Sequence, residues 1–204
     1  MSRRRPLVVV FARSARLGRV KTRLARGIGA GAALRFHRLT LAAILRRLAR
    51  DRRWETRIAA TPDGDARRGR GWPARVRVTR QGRGDLGERM LRAIAGAGGR
   101  PVAIVGADVP ELGAAAVDRA LRLLAAHAAV LGPSGDGGYW LIGWRGARPS
   151  PRLLDGVRWS SAHSLADTRT ALGWRRVAFA DRLDDVDDAA AHARWLRRSP
   201  STSR

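Results

Sequence analysis

The stretch Pro6 to Ala25 reads PLVVVFARSARLGRVKTRLA, and its two halves need different surroundings. Leu7 to Ala12 is an unbroken apolar run rich in β-branched residues, which suits a strand covered on both faces. The second half carries Arg13, Arg16, Gly18, Arg19, Lys21 and Arg23 before the chain turns apolar again. A doubly covered strand belongs in a mostly parallel sheet with helices on both faces. In such a sheet the loop after the first strand faces the ligand crevice. The three arginines ahead of the run imitate a signal peptide, but Arg13 ends it too early for an h-region or a membrane span.

The rest of the chain keeps the same rhythm. A helix is expected from about Gly31 to Arg50, with Leu34, Leu41, Leu45 and Leu48 on one face. A strand TRIAAT comes next, then a polar loop from Pro62 to Pro73, a strand RVRVTR and a helix beginning near Leu86. PVAIVGAD reads as a buried strand ending in a carboxylate, and Leu112 to His127 as a helix. AAVLGPS and YWLIGW flank the turn GDGG, Leu165 to Leu172 is a helix, RRVAFADRL a strand and DAAAHARWLRR a closing helix. The 204 residues suit one domain over residues 1–198, with 199–204 as a disordered tail.

Composition excludes several functions. There is no cysteine, and His37, His127, His163 and His192 lie far apart, so neither disulfides nor a zinc site is expected and a cytoplasmic setting fits. A net charge of +24 suggests nucleic acid. However, the arginines are spread over almost every segment, with one Tyr and three Phe for stacking, so no specific nucleic-acid partner is expected. Of the 41 Lys+Arg residues only Lys21 is a lysine. An ammonium is a compact point charge that can follow a phosphate where a planar guanidinium does not fit.

Four places carry candidate chemistry. The loop with Arg13, Gly18, Lys21 and Arg23 resembles a phosphate cradle, though it matches neither a Walker A loop nor a dinucleotide fingerprint, and a solvated basic turn is the alternative. Asp108 directly follows a strand and points into the crevice, unless it caps the next helix. Asp184, Asp185, Asp187 and Asp188 crowd together in LDDVDDAA, where some should cap the next helix and Asp185 and Asp187 could reach a cation. Without Cys or clustered His that cation would be hard and oxygen-liganded, hence Mg²⁺ or Mn²⁺. In GPSGDGGYWLIG the glycines after Asp136 form a turn, either a plain hairpin or one that a substrate approaches.

Taken in order, FARSARLGRVKTRLA, QGRGDLGERM, VGADVPEL, GPSGDGGYWLIG, WSSAHSLADT and LDDVDD resemble a family of small bacterial GT-A-like proteins. Its members are assigned as glycosyltransferases, some in arsenosugar biosynthesis, and are similar in fold to 2-phospholactate and molybdenum-cofactor guanylyltransferases. The resemblance spans about Leu7 to Leu196 and implies a Rossmann-like GT-A nucleotide-diphospho-sugar-transferase fold. It implies nucleotide and phosphate contacts from Arg13, Gly18, Lys21, Arg23, Gln81 and Gly82. It further implies a divalent metal, Mg²⁺ or Mn²⁺, on Asp108, Asp185 and Asp187. Arg13, Ala15, Asp188 and Ala191 depart from residues usual in the family. The expected activity is transfer from a nucleotide sugar to a small acceptor, with Lys21 in a catalytic role and Asp136 as acceptor-facing base. A guanylyltransferase-like use of a nucleoside triphosphate is the alternative.

Overall fold

The computed structural model describes residues 5–68, 72–173 and 176–198. The tail 199–204 and part of the Pro62–Pro73 loop lie outside the described residues.

Among the described residues seven strands form one sheet: β1 (Leu7–Arg13), β2 (Glu55–Thr61), β3 (Arg77–Arg80), β4 (Val102–Gly106), β5 (Ala129–Pro133), β6 (Tyr139–Trp144) and β7 (Val177–Phe179). Their order is β3-β2-β1-β4-β6-β5-β7, with β6 antiparallel to both neighbours and the other pairings parallel. The mostly parallel sheet expected from the sequence is therefore present.

Because side chains alternate along a strand, β1 feeds two cores. Val8, Val10 and Ala12 meet α2 (Ala30–Ala49) and α5 (Ala114–Leu124) on one face; Leu7 and Val9 meet α4 (Leu86–Ala95) and α6 (Ser164–Leu172) on the other. Leu41, Ile44, Leu45 and Leu48 supply the apolar stripe of α2. Each such side chain, fully buried, contributes about 1.5–3 kcal/mol. α4 starts with a capping box, in which Asp85 accepts from the Glu88 amide and Glu88 from the Asp85 amide. A third cluster joins α1 (Thr22–Ile28), α2 and α7 (Ala189–Arg198) through Leu24, Ala33, Phe36 and Val186.

Three expectations need correction. The basic stretch after β1 ends in helix α1, which buries Leu24 alone and so shows no periodicity. Part of the presumed Pro62–Pro73 loop is helical, as α3 (Asp63–Arg68) with Asp63 and Asp65 in its first turn. The last strand covers three residues, Val177–Phe179, and Ala180 to Asp187 runs on without regular structure.

Candidate active site

β1 lies between β2 and β4, so the chain leaves it in one direction early and returns on its other side later. The crevice beyond the carboxyl ends of β1 and β4 is thus a topological switch point. Arg13 ends β1 there, and Asp108 stands two residues past the end of β4.

The irregular segment after β7 crosses this crevice. The Leu183 amide donates to the Pro133 carbonyl (3.1 Å) and the Val186 amide to the Asp108 carbonyl (3.1 Å). Val186, 3% exposed, plugs into the cluster of Leu24, Ala33 and Phe36. With Val186 turned inward, Asp185 and Asp187 face the other way, as alternation along an extended chain requires. One carboxylate oxygen each of Asp108, Asp185 and Asp187 then lies within 4.8 Å of the others.

The remaining carboxylates of the cluster have separate tasks. Asp184 accepts from the Gly135 amide (2.9 Å), and Asp188 accepts from the Ala191 amide (2.7 Å) in the first turn of α7. Asp108 does not cap α5, whose N-cap is Gly113 without a side-chain hydrogen bond.

Lys21 closes the group. Its ammonium donates to Asp187 Oδ1 at 2.5 Å and lies 3.4 Å from Asp108 Oδ2, with the side chain only 6% exposed. Its backbone is left-handed (φ 48°, ψ 47°), uncommon for a residue with a Cβ, and this turns the side chain to the carboxylates. Burial opposes its charge, but Asp108, Asp187 and Asp185 outweigh burial and hold the ammonium above the ordinary lysine value. Asp185 is pushed up to about 6, by burial first and then by Asp108, Asp187 and Asp136, with Lys21 opposing. A carboxylate trio this crowded is short of positive charge, and its hard oxygens fit Mg²⁺ or Mn²⁺.

Two clefts meet at the trio. The first, about 540 Å³, lies over the ends of β1 and β2 and carries Arg13, Arg19, Lys21, Arg23 and Arg89. The second, about 360 Å³, lies between the β5–β6 turn and the loop 158–164. Asp108, Asp187 and Arg23 line both.

A family model described as "Uncharacterized protein conserved in bacteria (DUF2064)" matches residues 44–161. The chain belongs to this family. The crystal structure of a candidate nucleotide-diphospho-sugar transferase from Desulfovibrio desulfuricans G20 superposes with a TM-score of 0.88 at 29% identity, covering 97% of this chain and 89% of that one. Two more distant structures share the fold. CMP:2-keto-3-deoxy-manno-octonic acid synthetase, complexed with CTP, has a TM-score of 0.58 at 11% identity, covering 95% and 98%. Glucosyl-3-phosphoglycerate synthase from Mycobacterium tuberculosis, complexed with Mn²⁺, UDP and phosphoglyceric acid, has 0.54 at 13% identity, covering 96% and 75%. No curated protein matches the chain significantly. The fold is that of the nucleotide-diphospho-sugar transferases, and its relatives in structure include both glycosyl and nucleotidyl transferases.

In this DUF2064 member the other candidate residues divide between the clefts and their supports. Gln81 lines the first cleft and is 6% exposed, its amide donating to the Ala59 carbonyl (2.8 Å). The Gly82 amide donates to Asp63 Oδ1 (3.0 Å), and Gly82 does not line the cleft. Gly18 has φ 69° in an open turn and likewise stands off the lining, whereas Arg13 and Arg23 are exposed within it. Asp136 lines the second cleft; its Oδ1 accepts from Ser134 Oγ (2.6 Å) and the Gly138 amide (2.9 Å). Tyr139, the only tyrosine, lines the second cleft with its hydroxyl engaged: Thr168 Oγ1 donates to it (3.3 Å), and burial raises its pKa despite that bond.

Sequence reasoning missed His37. It is 5% exposed on α2 and lines the first cleft, where Nε2 donates to the Arg13 carbonyl (3.0 Å) and pins the end of β1. That bond puts the proton on Nε2, so Nδ1 is a bare acceptor with no partner among the described residues. Burial, with Lys21 and Arg13 adding to it, lowers its pKa against the Arg13 hydrogen bond and Asp108, keeping the ring neutral. Its place two turns into α2, with no neighbouring polar motif, left no signal.

Proposed function

We propose that the chain is a cytoplasmic, metal-dependent glycosyltransferase that uses a nucleotide-sugar donor. One observation carries this reading: a trio of carboxylates stands between a cationic cleft and a carboxylate-lined one. The cationic cleft suits a nucleoside diphosphate, with Arg13, Lys21 and Arg23 sharing the phosphate charge. Asp108, Asp185 and Asp187 would hold Mg²⁺ or Mn²⁺, which supplies Lewis-acid neutralisation of the diphosphate. The second cleft takes the acceptor. Its hydroxyl oxygen forms the bond to the anomeric carbon, the bond from that carbon to the phosphate oxygen breaks, and the electron pair leaves with the nucleoside diphosphate. Asp136 takes the hydroxyl proton. The relationship to the Desulfovibrio desulfuricans protein supports the donor class.

Five cations in the first cleft would also serve a triphosphate, which favours the nucleotidyltransferase as the second reading. The experiment incubates the protein with nucleotide sugars and with nucleoside triphosphates, each together with a panel of neutral and phosphorylated sugar and polyol acceptors, with and without Mn²⁺ or Mg²⁺, and separates the products. Metal-dependent release of nucleoside diphosphate, abolished by Asp108→Asn, is expected. Release of pyrophosphate from a triphosphate instead establishes the second reading.

A further inference from the structure

The two clefts have opposite charge in a chain where 41 Lys+Arg face 17 Asp+Glu. Among the described residues the second cleft is lined by four carboxylates, Asp108, Asp136, Asp185 and Asp187, against one guanidinium, Arg23, which it shares with the first cleft. A composition so rich in arginine would place several there by default.

An indole forms one wall. The loop around Trp159 is fastened to the start of α4, where Trp159 Nε1 donates to Asp85 Oδ2 (3.3 Å), the oxygen not used in the capping box. The ring sits on Gly87, where a Cβ would approach its Cζ2 to 2.7 Å. The next residue, Ser160, is held at φ 57°, a conformation that side chains other than glycine rarely adopt. Opposite, the β5–β6 turn is locked to the same loop, since the Leu165 amide donates to the Gly137 carbonyl (3.0 Å) and no Cβ fits between Gly137 and the Ala162 carbonyl. Both walls are therefore fixed before a ligand arrives. Asp136 Oδ1 is spent on its own turn, while Oδ2 forms no hydrogen bond among the described residues.

We propose that this cleft selects a neutral, hydroxyl-bearing acceptor of the sugar or polyol class, laid with its C–H face on Trp159 and a hydroxyl on Asp136 Oδ2, and that it rejects phosphorylated acceptors. The inference rests on the glycosyltransferase reading. Hydroxyls donate to carboxylates and C–H faces pack on an indole, whereas a phosphate would meet Asp136 and a trio whose three charges a divalent ion offsets only in part.

Saturation-transfer NMR tests this on the full chain with Mg²⁺ and UDP, using matched pairs: methyl glucoside and glucose 6-phosphate, glycerol and glycerol 3-phosphate, inositol and inositol 1-phosphate. The protein is strongly cationic, so phosphates will stick elsewhere, and the informative signal is the part lost in Trp159→Ala and kept in Trp159→Phe. At least one neutral member should show that signal, at least tenfold above its phosphate partner. A Trp159-dependent signal from a phosphorylated member, or none from any neutral member, overturns the proposal. Binding of UDP is read in the same tubes. Loss of metal-dependent nucleotide binding would count against the glycosyltransferase reading itself, whereas intact nucleotide binding with the wrong acceptor pattern defeats only the acceptor class.

Discussion

Removing the one lysine should weaken the fold and strengthen cation binding together. In Lys21→Ala the trio of Asp108, Asp185 and Asp187 loses its nearest positive charge. Deleting one partner of a fully buried pair costs about 3–5 kcal/mol. Here the ammonium is buried, but Asp108 and Asp187 are 40% and 41% exposed, and screening brings the figure to about 2 kcal/mol. For a chain of this size that is about 4–8 °C in Tm. By linkage, an ammonium that stabilises the cation-free state by about 2 kcal/mol must be displaced from these oxygens when a cation binds, so Mn²⁺ should bind the variant roughly 30-fold more tightly.

Lys21→Gly separates charge from backbone. It loses the same ammonium but relieves the left-handed conformation, and should be more stable than Lys21→Ala by about 1 kcal/mol. Lys21→Arg keeps the charge but must seat a planar fork where the lysine nitrogen reaches two carboxylates, and should recover only part of the stability. Urea unfolding after dialysis against chelator, and calorimetric titration with MnCl₂, read both quantities. If Lys21→Ala unfolds with the parent and binds Mn²⁺ no better, the ammonium is not a stand-in for a cation and the reasoning fails.

Other expectations concern the supports of the site. Gly137→Ala combines a φ of 82° with collision against the Ala162 carbonyl and should lose more than about 2 kcal/mol, whereas Gly98→Ala, at φ 64° in open space, should lose only about 1 kcal/mol; equal losses in thermal melts would refute the packing argument. Val186→Ala should cost about 2 kcal/mol by emptying the plug between α1 and α2, and should loosen Mn²⁺ binding although no ligand is altered; unchanged Mn²⁺ affinity by calorimetry would show that the plug does not position the aspartates. Glu55, held by Arg57 and Arg100, has its pKa lowered to about 2 from 4.5. The stability it contributes is present above pH 4.5 and lost as pH falls towards 2. After discounting for its exposure this is about 1 kcal/mol, so Glu55→Gln should be weaker than the parent at pH 7 in urea melts and equal to it near pH 2.

The layout of the sheet was legible because β1, β4 and β5 are short apolar runs that no amphipathic helix explains, and α2 announces itself by an apolar stripe. α1 was not, because a seven-residue helix that buries one side chain has no period to read. The site divides in the same way. Asp108 was singled out by its position after a strand, and Asp185 and Asp187 by their place in an acidic cluster that the family resemblance pairs, whereas their facing away from Val186 shows only in the fold. His37 was invisible, and Trp159, although it opens the motif WSSAHSLADT, was given no role. Each owes its place to a partner distant in sequence, the Arg13 carbonyl for one and Asp85 with Gly87 for the other.

The single lysine and the charge of the chain are connected. Arginines cover the surface, where a wide fork costs nothing, so their number says little about function. At the switch point a cation must sit among carboxylates with 6% of its side chain exposed, and there the space admits an ammonium. On the side of the second cleft, among the described residues, a single arginine, Arg23, lines the same carboxylates. Both exceptions to the arginine-rich composition thus fall within one crevice, on either side of the oxygens that a divalent ion would share. Drift in composition acts on every position alike, and so it cannot by itself produce two departures that meet at one place. A crevice that must hold positive charge on one wall and negative charge on the other can.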